Sequence, residues 1–231
     1  MVPHAASLQG MELSRWTVIV IDAIRASSTI AQAIASGCRR VIPVATIREA
    51  HATRRALAAD RPLLGGERRG LRIEGFDLGN SPREYTPEAV AGRSIILTTT
   101  NGTKAIRAAA GARAVLSGAF VNLPAVVAQV RRRARVLIVP VGRSNAPVLD
   151  DVVCTGMFVE RLLEVGATAT PEAEVARMAY AGYRDRLVDA LRESASGQAL
   201  LKAGLGDDLP YCAQVGLLNV VPRLENGGLV P

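Results

Sequence analysis

Aromatic residues are scarce in this chain. Phe, Trp and Tyr together make up 3% of the 231 residues against an apolar fraction of 49%, so the core must be built from Val, Ile, Leu and Ala. Stacking on single-stranded bases has little to work with. Histidine is almost missing: His4 and His51 are the only two, and neither lies in a motif. A His-rich metal site is thereby excluded, and a Ser-His-Asp triad has no natural member. Cys38, Cys154 and Cys212 are far apart, form no CxxC and have no zinc spacing. Cys38 stands in "SGCRRV", outside the loop-and-arginine context of a cysteine phosphatase, so all three read as structural. GxxxxGK(S/T) and GxGxxG are both absent, which argues against a P-loop nucleotide and a dinucleotide. No run reaches the roughly 18 apolar residues of a membrane span. The start "MVPHAASLQGMELSRW" lacks the apolar stretch of a signal peptide, and the expectation is a cytoplasmic protein with no membrane partner.

Lysine is nearly absent too. Lys104 and Lys202 apart, the 28 basic residues are arginines, and the net charge is +7. The arginines are scattered except for "RRRAR" at 131–135, which has no interleaved aromatics. Such a run reads as a solvated face, and no nucleic-acid partner is expected.

What is present is a repeated strand-loop-helix unit. "VIVIDAIRASSTIAQAIASGCRRVIPV" begins at Val18 and "SIILTTTNGTKAIRAAAGARAVLSGAF" at Ser94. A shift of 74 residues lays Thr29 on Thr103, Gly37 on Gly111 and Val41 on Val115. A looser third unit, "RVLIVPVGRSNAPVLDDVVCTGMFVERLLEVGA", has its helix followed by Gly166. The glycine after each helix suits a C′ position. Apolar runs such as Val18–Ile21 suit strands buried on both faces, so the pattern predicts an α/β fold with a mainly parallel sheet flanked by helices. In that architecture the loops beginning near Asp22, Thr98 and Gly142 meet at the carboxyl edge of the sheet. Residues 1–231 read as one α/β unit, with a division into two lobes near residue 90 as the alternative. The stretch "LLGGERRGLRIEGFDLGNSPREYTPEAV" is a long connection of the kind that carries function. Residues 171–203 predict one or two amphipathic helices, and "GLGDDLPYCAQVGLLNVVPRL" a short helix and a last strand. The tail "ENGGLVP" is expected to fray.

Polar and acidic residues gather in the loops. Asp22 ends an apolar strand, where a carboxylate either caps the next helix or holds a ligand. Asp150 and Asp151 begin the third unit's helix, where negative charge is also favourable in its own right. Glu67 follows "LLGG" and reads as a further ligand or an exposed loop charge. Converging carboxylates without His or Cys suit a hard cation such as Mg²⁺. Thr99, Thr100, Asn101, Gly102 and Thr103 precede a helix and offer hydroxyls and amides to an anion. "RASST" from Arg25 repeats the design with an arginine, whose fork matches phosphate, and "GNSP" at 79–82 adds a third polar turn. Together they describe a Mg²⁺-dependent phosphate site.

"VIDAIRASSTI", "GGERRG", "GFDLGNSPREY", "TTTNGTKAI" and "LDDVVCTG", in that order, resemble the signature blocks of the 2-phosphosulfolactate phosphatase (ComB) family. "DDLPYCAQVGLLNVVP" resembles the family's end, so the likeness spans nearly the whole chain. It implies a Mg²⁺-dependent phosphatase that hydrolyses (2R)-phospho-3-sulfolactate to sulfolactate and phosphate, a step of coenzyme M biosynthesis. The chain departs from the usual pattern at Ala23-Ile24, where Val-Leu is commoner, at Asp150-Asp151, where Glu-Asp is commoner, and in "GRSNAPV". The expected roles follow. Asp22 and Asp151, with Asp150 or Glu67, hold Mg²⁺ and orient water; Asp22 as nucleophile is the alternative. Arg25, Ser27, Ser28 and the segment Thr99 to Thr103 cradle the phosphoryl group, with Asp77, Asn80 and Ser81 supporting. Arg68, Arg72 and Arg143 meet the substrate's other anionic groups. The rival expectations are a phosphatase of another small phosphorylated acid, a non-catalytic anion-binding module, and a nucleic-acid binder on the basic surface. A homodimer is the default assembly.

Overall fold

The strands Thr17–Ile21 (β1), Ser94–Thr98 and Val136–Pro140 are short apolar runs, and their residues are buried but for Val136. The computed structural model that shows them describes residues 4–144 and 146–231. The first three residues of the start and Asn145 of "GRSNAPV" lie outside them. In chain order, β1 is followed by α1 (Ala26–Ala35), β2 (Arg40–Pro43), α2 (Ile47–Ala56), β3 (Leu63–Arg68) and β4 (Leu71–Arg72). Then come α3 (Pro87–Val90), β5 (Ser94–Thr98), α4 (Gly102–Ala108), β6 (Ala114–Gly118), α5 (Leu123–Val130) and β7 (Val136–Pro140). The chain closes with α6 (Leu149–Glu164), α7 (Pro171–Ala181), α8 (Leu187–Glu193), α9 (Ala195–Lys202), α10 (Asp208–Cys212), β8 (Arg223–Glu225) and β9 (Gly228–Val230).

The nine strands form one sheet in the order β4-β3-β5-β2-β9-β8-β6-β1-β7. It is mixed, which corrects the expectation of a mainly parallel sheet. Four pairings are parallel, β1 with β6 and β7, and β5 with β2 and β3. Four are antiparallel, β3 with β4, β2 with β9, β8 with β9, and β6 with β8. Two parallel blocks, β3-β5-β2 and β6-β1-β7, are joined by the β8-β9 hairpin. That hairpin contains the tail expected to fray. Asn226 and Gly227 take φ of 48° and 77°, the pair of positive values that a tight two-residue hairpin turn demands. Leu229 is fully buried and sits opposite Val41 of β2. The tail is therefore the centre of the sheet, and "NG" was its signature.

The repeat is real but exchanged. The second strand of each unit pairs with the first strand of the other: β2 with β5, and β6 with β1. Gly37 and Gly166 end α1 and α6 with φ of 81° and 91°, as C′ glycines do. Residues 171–203 form three helices rather than one or two, because the chain breaks at Arg186 and again at Ser194. Ser194 starts α9 by accepting the Gly197 amide at 2.9 Å.

Three antiparallel steps separate β2 from β6, so the two blocks run in opposite senses. The carboxyl ends of β1 and β5 would face opposite edges of a flat sheet, about 24 Å apart across five strand spacings. Yet Gly102, after β5, touches Asp22, after β1. The two ends meet in space nonetheless. One face carries Val18, Val20, Ile95, Leu97 and Val139 against Ile30, Ile34 and Ile106 of α1 and α4. Alternate residues Ile19, Ile21 and Ile138 face the other way, onto Val126 of α5 and Phe158 of α6. The loops meet as expected, but from two parallel blocks of opposite sense rather than at the edge of a single parallel sheet.

Candidate functional site

A cavity of about 540 Å³ opens where these loops converge. Its acidic part is four carboxyls from three places in the fold: the end of β1, the end of β3 and the start of α6. Asp22 follows β1, and its Oδ1 accepts the Ala26 amide at 3.2 Å as α1 begins. Asp151, in the first turn of α6, accepts the Ala23 amide on Oδ1 and the Gly142 amide on Oδ2, each at 2.9 Å. It thereby ties the loops after β1 and β7 to α6. Glu67, near the end of β3, accepts the Thr100 amide on Oε1 at 2.7 Å and the Gly70 amide on Oε2 at 2.8 Å. Asp150 is 1% exposed, and its Oδ1 has no partner among the described residues.

Three of these carboxyls are held above their ordinary range. Burial pushes Asp22 up to about 6, helped by Glu67 and opposed by the Ala26 amide and Arg25. Burial and then the Asp22 charge push Asp150 up to about 7, while the Ser194 and Ser196 hydroxyls pull the other way. Asp151 is raised well above the carboxylate range by burial and by its two acidic neighbours. A group of acids that resists full ionisation is one that a cation or a shared proton relieves.

The basic part is more varied. Arg25 is 4% exposed; its Nη1 donates to Asp208 Oδ2 at 2.7 Å and its Nη2 to the Gly70 carbonyl at 2.6 Å. Arg68 is turned onto backbone, donating to the Glu67 carbonyl at 2.6 Å and to Thr98 Oγ1 at 3.0 Å. Arg69 sits in the two-residue turn between β3 and β4, where Arg69 and Gly70 have φ of 55° and 85°. It is exposed, lines the cavity and makes no ion pair or hydrogen bond among the described residues. Arg143 also lines the cavity, exposed, with one long bond to the Ala195 carbonyl at 3.5 Å.

The threonine-rich turn divides its labour. Thr99 and Thr103 cap each other, each side-chain oxygen accepting the other's amide at 3.1 and 3.2 Å. Thr100 gives its amide to Glu67, and Thr99, Thr100 and Asn101 line the cavity. Gly102 makes the meeting of the two sheet blocks possible. A β-carbon there would lie 2.5 Å from Asp22 Oδ2 and 2.7 Å from the Ala26 β-carbon.

Of the residues expected at the site, Asp22, Arg25, Glu67, Arg68, Asn80, Thr99, Thr100, Asn101, Arg143, Asp150 and Asp151 line the cavity. Others stand behind it. Ser27 donates to the Val20 carbonyl at 3.3 Å and Ser28 to the Ala23 carbonyl at 2.8 Å, so both hydroxyls are spent on backbone. Asp77 Oδ2 accepts the Leu64 amide at 2.8 Å and pins β3. Ser81 donates to Asp208. Thr103 and Gly102 act through the contacts just described, and Arg72 is exposed on β4. Sequence reading missed Ile24, Arg69, Gly70, Ser196, Ala199 and Leu200 in the lining, and Asp208 behind it. "RRG" as a hairpin turn was the signal for Arg69; Ser196 had none.

Whether a divalent cation suits these residues turns on the donors. All are hard oxygens, and the orphaned Asp150 Oδ1 is a buried acceptor short of a partner. Among the described residues, no three His, Cys, Asp or Glu side chains already form a metal cage. Oxygen donors of this kind suit a hard divalent cation.

The family model described as 2-phosphosulpholactate phosphatase matches residues 3–227. A protein of Symbiobacterium thermophilum, named "Probable 2-phosphosulfolactate phosphatase", is 40% identical over 224 residues, 95% of each chain. One of Clostridium acetobutylicum with the same name is 34% identical over 233 residues, all of this chain and 98% of its own. A third, from Synechococcus sp. (strain JA-3-3Ab), is 40% identical over 217 residues, 92% of this chain and 90% of its own.

Proposed function

The chain belongs to the 2-phosphosulpholactate phosphatase family, and on that premise we propose that its cavity hydrolyses the phosphate monoester of 2-phosphosulfolactate. It is a phosphoric monoester hydrolase whose substrate is a small, multiply anionic acid. The observation that carries the reading is the juxtaposition of Asp22, Asp150 and Asp151 with Arg25, Arg69 and Arg143 in one cavity. Acids that resist ionisation, facing guanidinium groups across one cavity, are what a phosphoryl transfer site needs on its two sides.

Arg25 and the turn Thr100-Asn101 hold the phosphoryl oxygens. Asp22 takes a proton from the water that attacks phosphorus. The P–O ester bond breaks, and the departing alkoxide takes its proton from solvent water. Arg69 and Arg143 meet the sulfonate and carboxylate. Asp151 and Glu67 keep the loops in register. Bound by Asp22 and Asp150, Mg²⁺ would neutralise phosphoryl charge and lower the pKa of water. The place in coenzyme M biosynthesis, the cytoplasmic setting, the lack of a nucleic-acid partner and a homodimeric assembly belong to the same proposal, and rest on the resemblance and on composition.

The test is phosphate release from 2-phosphosulfolactate and from a panel of phosphorylated hydroxy acids, with and without Mg²⁺. The expected result is Mg²⁺-dependent release with the highest kcat/KM on the sulfonated ester. A higher kcat/KM on another acid reassigns the substrate. No release from any ester, with binding intact, leaves an anion-binding module.

A further inference from the structure

We infer that Asp208, which does not line the cavity, is the positioning residue for Arg25 and so sets the affinity of the pocket for a phosphoryl group. This rests on reading the cavity as a phosphate site.

Arg25 and Asp208 are 4% and 2% exposed, and their side chains meet at 2.7 Å. The other carboxylate oxygen of Asp208 accepts the Ser81 hydroxyl at 2.6 Å. Asp208 is thus fixed at both oxygens, one by a cation 183 residues away and one by the "GNSP" turn 127 residues away. Its neighbour Asp207 supplies the contrast. Asp207 pairs with Arg83 at 3.0 Å, but those side chains are 85% and 53% exposed. An exposed pair of that kind holds little in place. Asp208 stands at the start of α10, yet its oxygens are turned to Arg25 and Ser81 rather than to the helix's own amides.

A guanidinium carries five N–H donors in a rigid plane. Asp208 takes one from Nη1 and the Gly70 carbonyl takes one from Nη2 at 2.6 Å. Two fixed acceptors determine the plane, and the remaining donors are presented in one orientation to a ligand in the cavity. Burying such a pair costs desolvation that the attraction roughly offsets, so its main effect is geometric rather than stabilising. Orientation set in advance is what raises affinity for a tetrahedral oxyanion.

The test is a two-by-two set: wild type, Asp208→Asn, Arg25→Gln and the double variant. Affinity for inorganic phosphate is measured by calorimetry at fixed Mg²⁺, with phosphoester kinetics alongside. Asp208→Asn should weaken phosphate binding about tenfold and raise KM by a similar factor, with a smaller change in kcat. In the Arg25→Gln background the same substitution should add nothing. Equal losses in both backgrounds, or unchanged phosphate affinity in folded Asp208→Asn, overturn the role. Should Asp208→Asn fail to fold, Ser81→Ala decides, since it leaves both charges in place. Phosphate binding weakened about twofold to fivefold supports the role, and unchanged binding overturns it. Wild-type protein that binds phosphate but cleaves no ester sinks the phosphatase reading and leaves the Asp208 role testable. Wild type with no measurable phosphate affinity sinks both.

Discussion

On the acidic part of the cavity, Asp151 and Glu67 give all four carboxylate oxygens to backbone amides of Ala23, Gly142, Thr100 and Gly70. On the basic part, Arg69 and Arg143 reach into the same space from exposed loops with almost nothing holding them. Those amides sit in the turns directly after β1, β3, β5 and β7 and are tied to the strand ends; exposed guanidinium groups adjust. On the proposed function, the difference separates two tasks. Groups that must hold a reacting atom within a fraction of an ångström are set by the fold. Groups that choose among anionic tails can be left mobile and replaced at little structural cost.

The largest break in that contrast should come from Asp22. Asp22→Asn keeps the size of the side chain and its acceptor for the Ala26 amide, so the fold should persist. Loss of the carboxylate should lower kcat by at least about 100-fold. Circular dichroism with steady-state kinetics checks both halves, and near-normal turnover would remove Asp22 from the chemistry. Next comes Gly102, which lets the two sheet blocks touch. Gly102→Ala places a methyl group 2.5 Å from Asp22 Oδ2, where something must shift. Urea unfolding should report a loss of about 1–3 kcal/mol, with activity falling further than stability. Gly111→Ala, where a β-carbon meets nothing within 4 Å, is the control and should be silent.

The arginine part should respond more gently. Arg69→Ala and Arg143→Ala should each raise KM about tenfold with kcat changed less than about twofold, the signature of lost uniform binding. If either lowers kcat and kcat/KM equally, that arginine acts on the transition state and the division of tasks fails.

This division was only half legible beforehand. Strand-loop-helix units are local, so β1, α1, β5, α4 and β6 could be read from apolar runs, and the acidic loop ends with them. The sheet's sense could not, because it depends on β8 and β9, strands of three residues each, too short for any periodicity. A last strand was expected in the stretch that ends at Leu224, inside β8, but its partner β9 and the turn Asn226-Gly227 fall in the segment expected to fray. Hydroxyl direction is equally invisible in sequence: Ser27 and Ser28 look like phosphate ligands until their bonds to Val20 and Ala23 are seen. Asp208 gains its meaning from a partner 183 residues away. What is written locally was readable, and what arises from closure of the sheet was not.

The smallest effect is also the one that tests the acidic part most directly, because it needs no substrate. In the metal-free protein Asp22 and Asp150 are raised from 3.8 to about 6 and about 7. The folded state therefore holds protons that the unfolded chain has released. That contribution to stability is present below the unfolded value and is lost as pH rises through the folded values. Tm should fall between about pH 4 and about pH 7, the reverse of what a salt-bridged carboxylate would give. Because Asp22 is open to the cavity, solvent weakens its share, and Asp150 should dominate. Asp150→Asn is neutral at every pH, so it should raise the metal-free Tm at high pH by about 2–4 °C and flatten the slope. Added Mg²⁺ should lift the wild type and leave Asp150→Asn nearly where it was, since a cation relieves only a charge that is there. A wild-type Tm that climbs with pH across this window would mean the three aspartates are not crowded as they stand here. The acidic part would then be merely a set of loop ties, like Glu67, with no charge held in reserve for a cation.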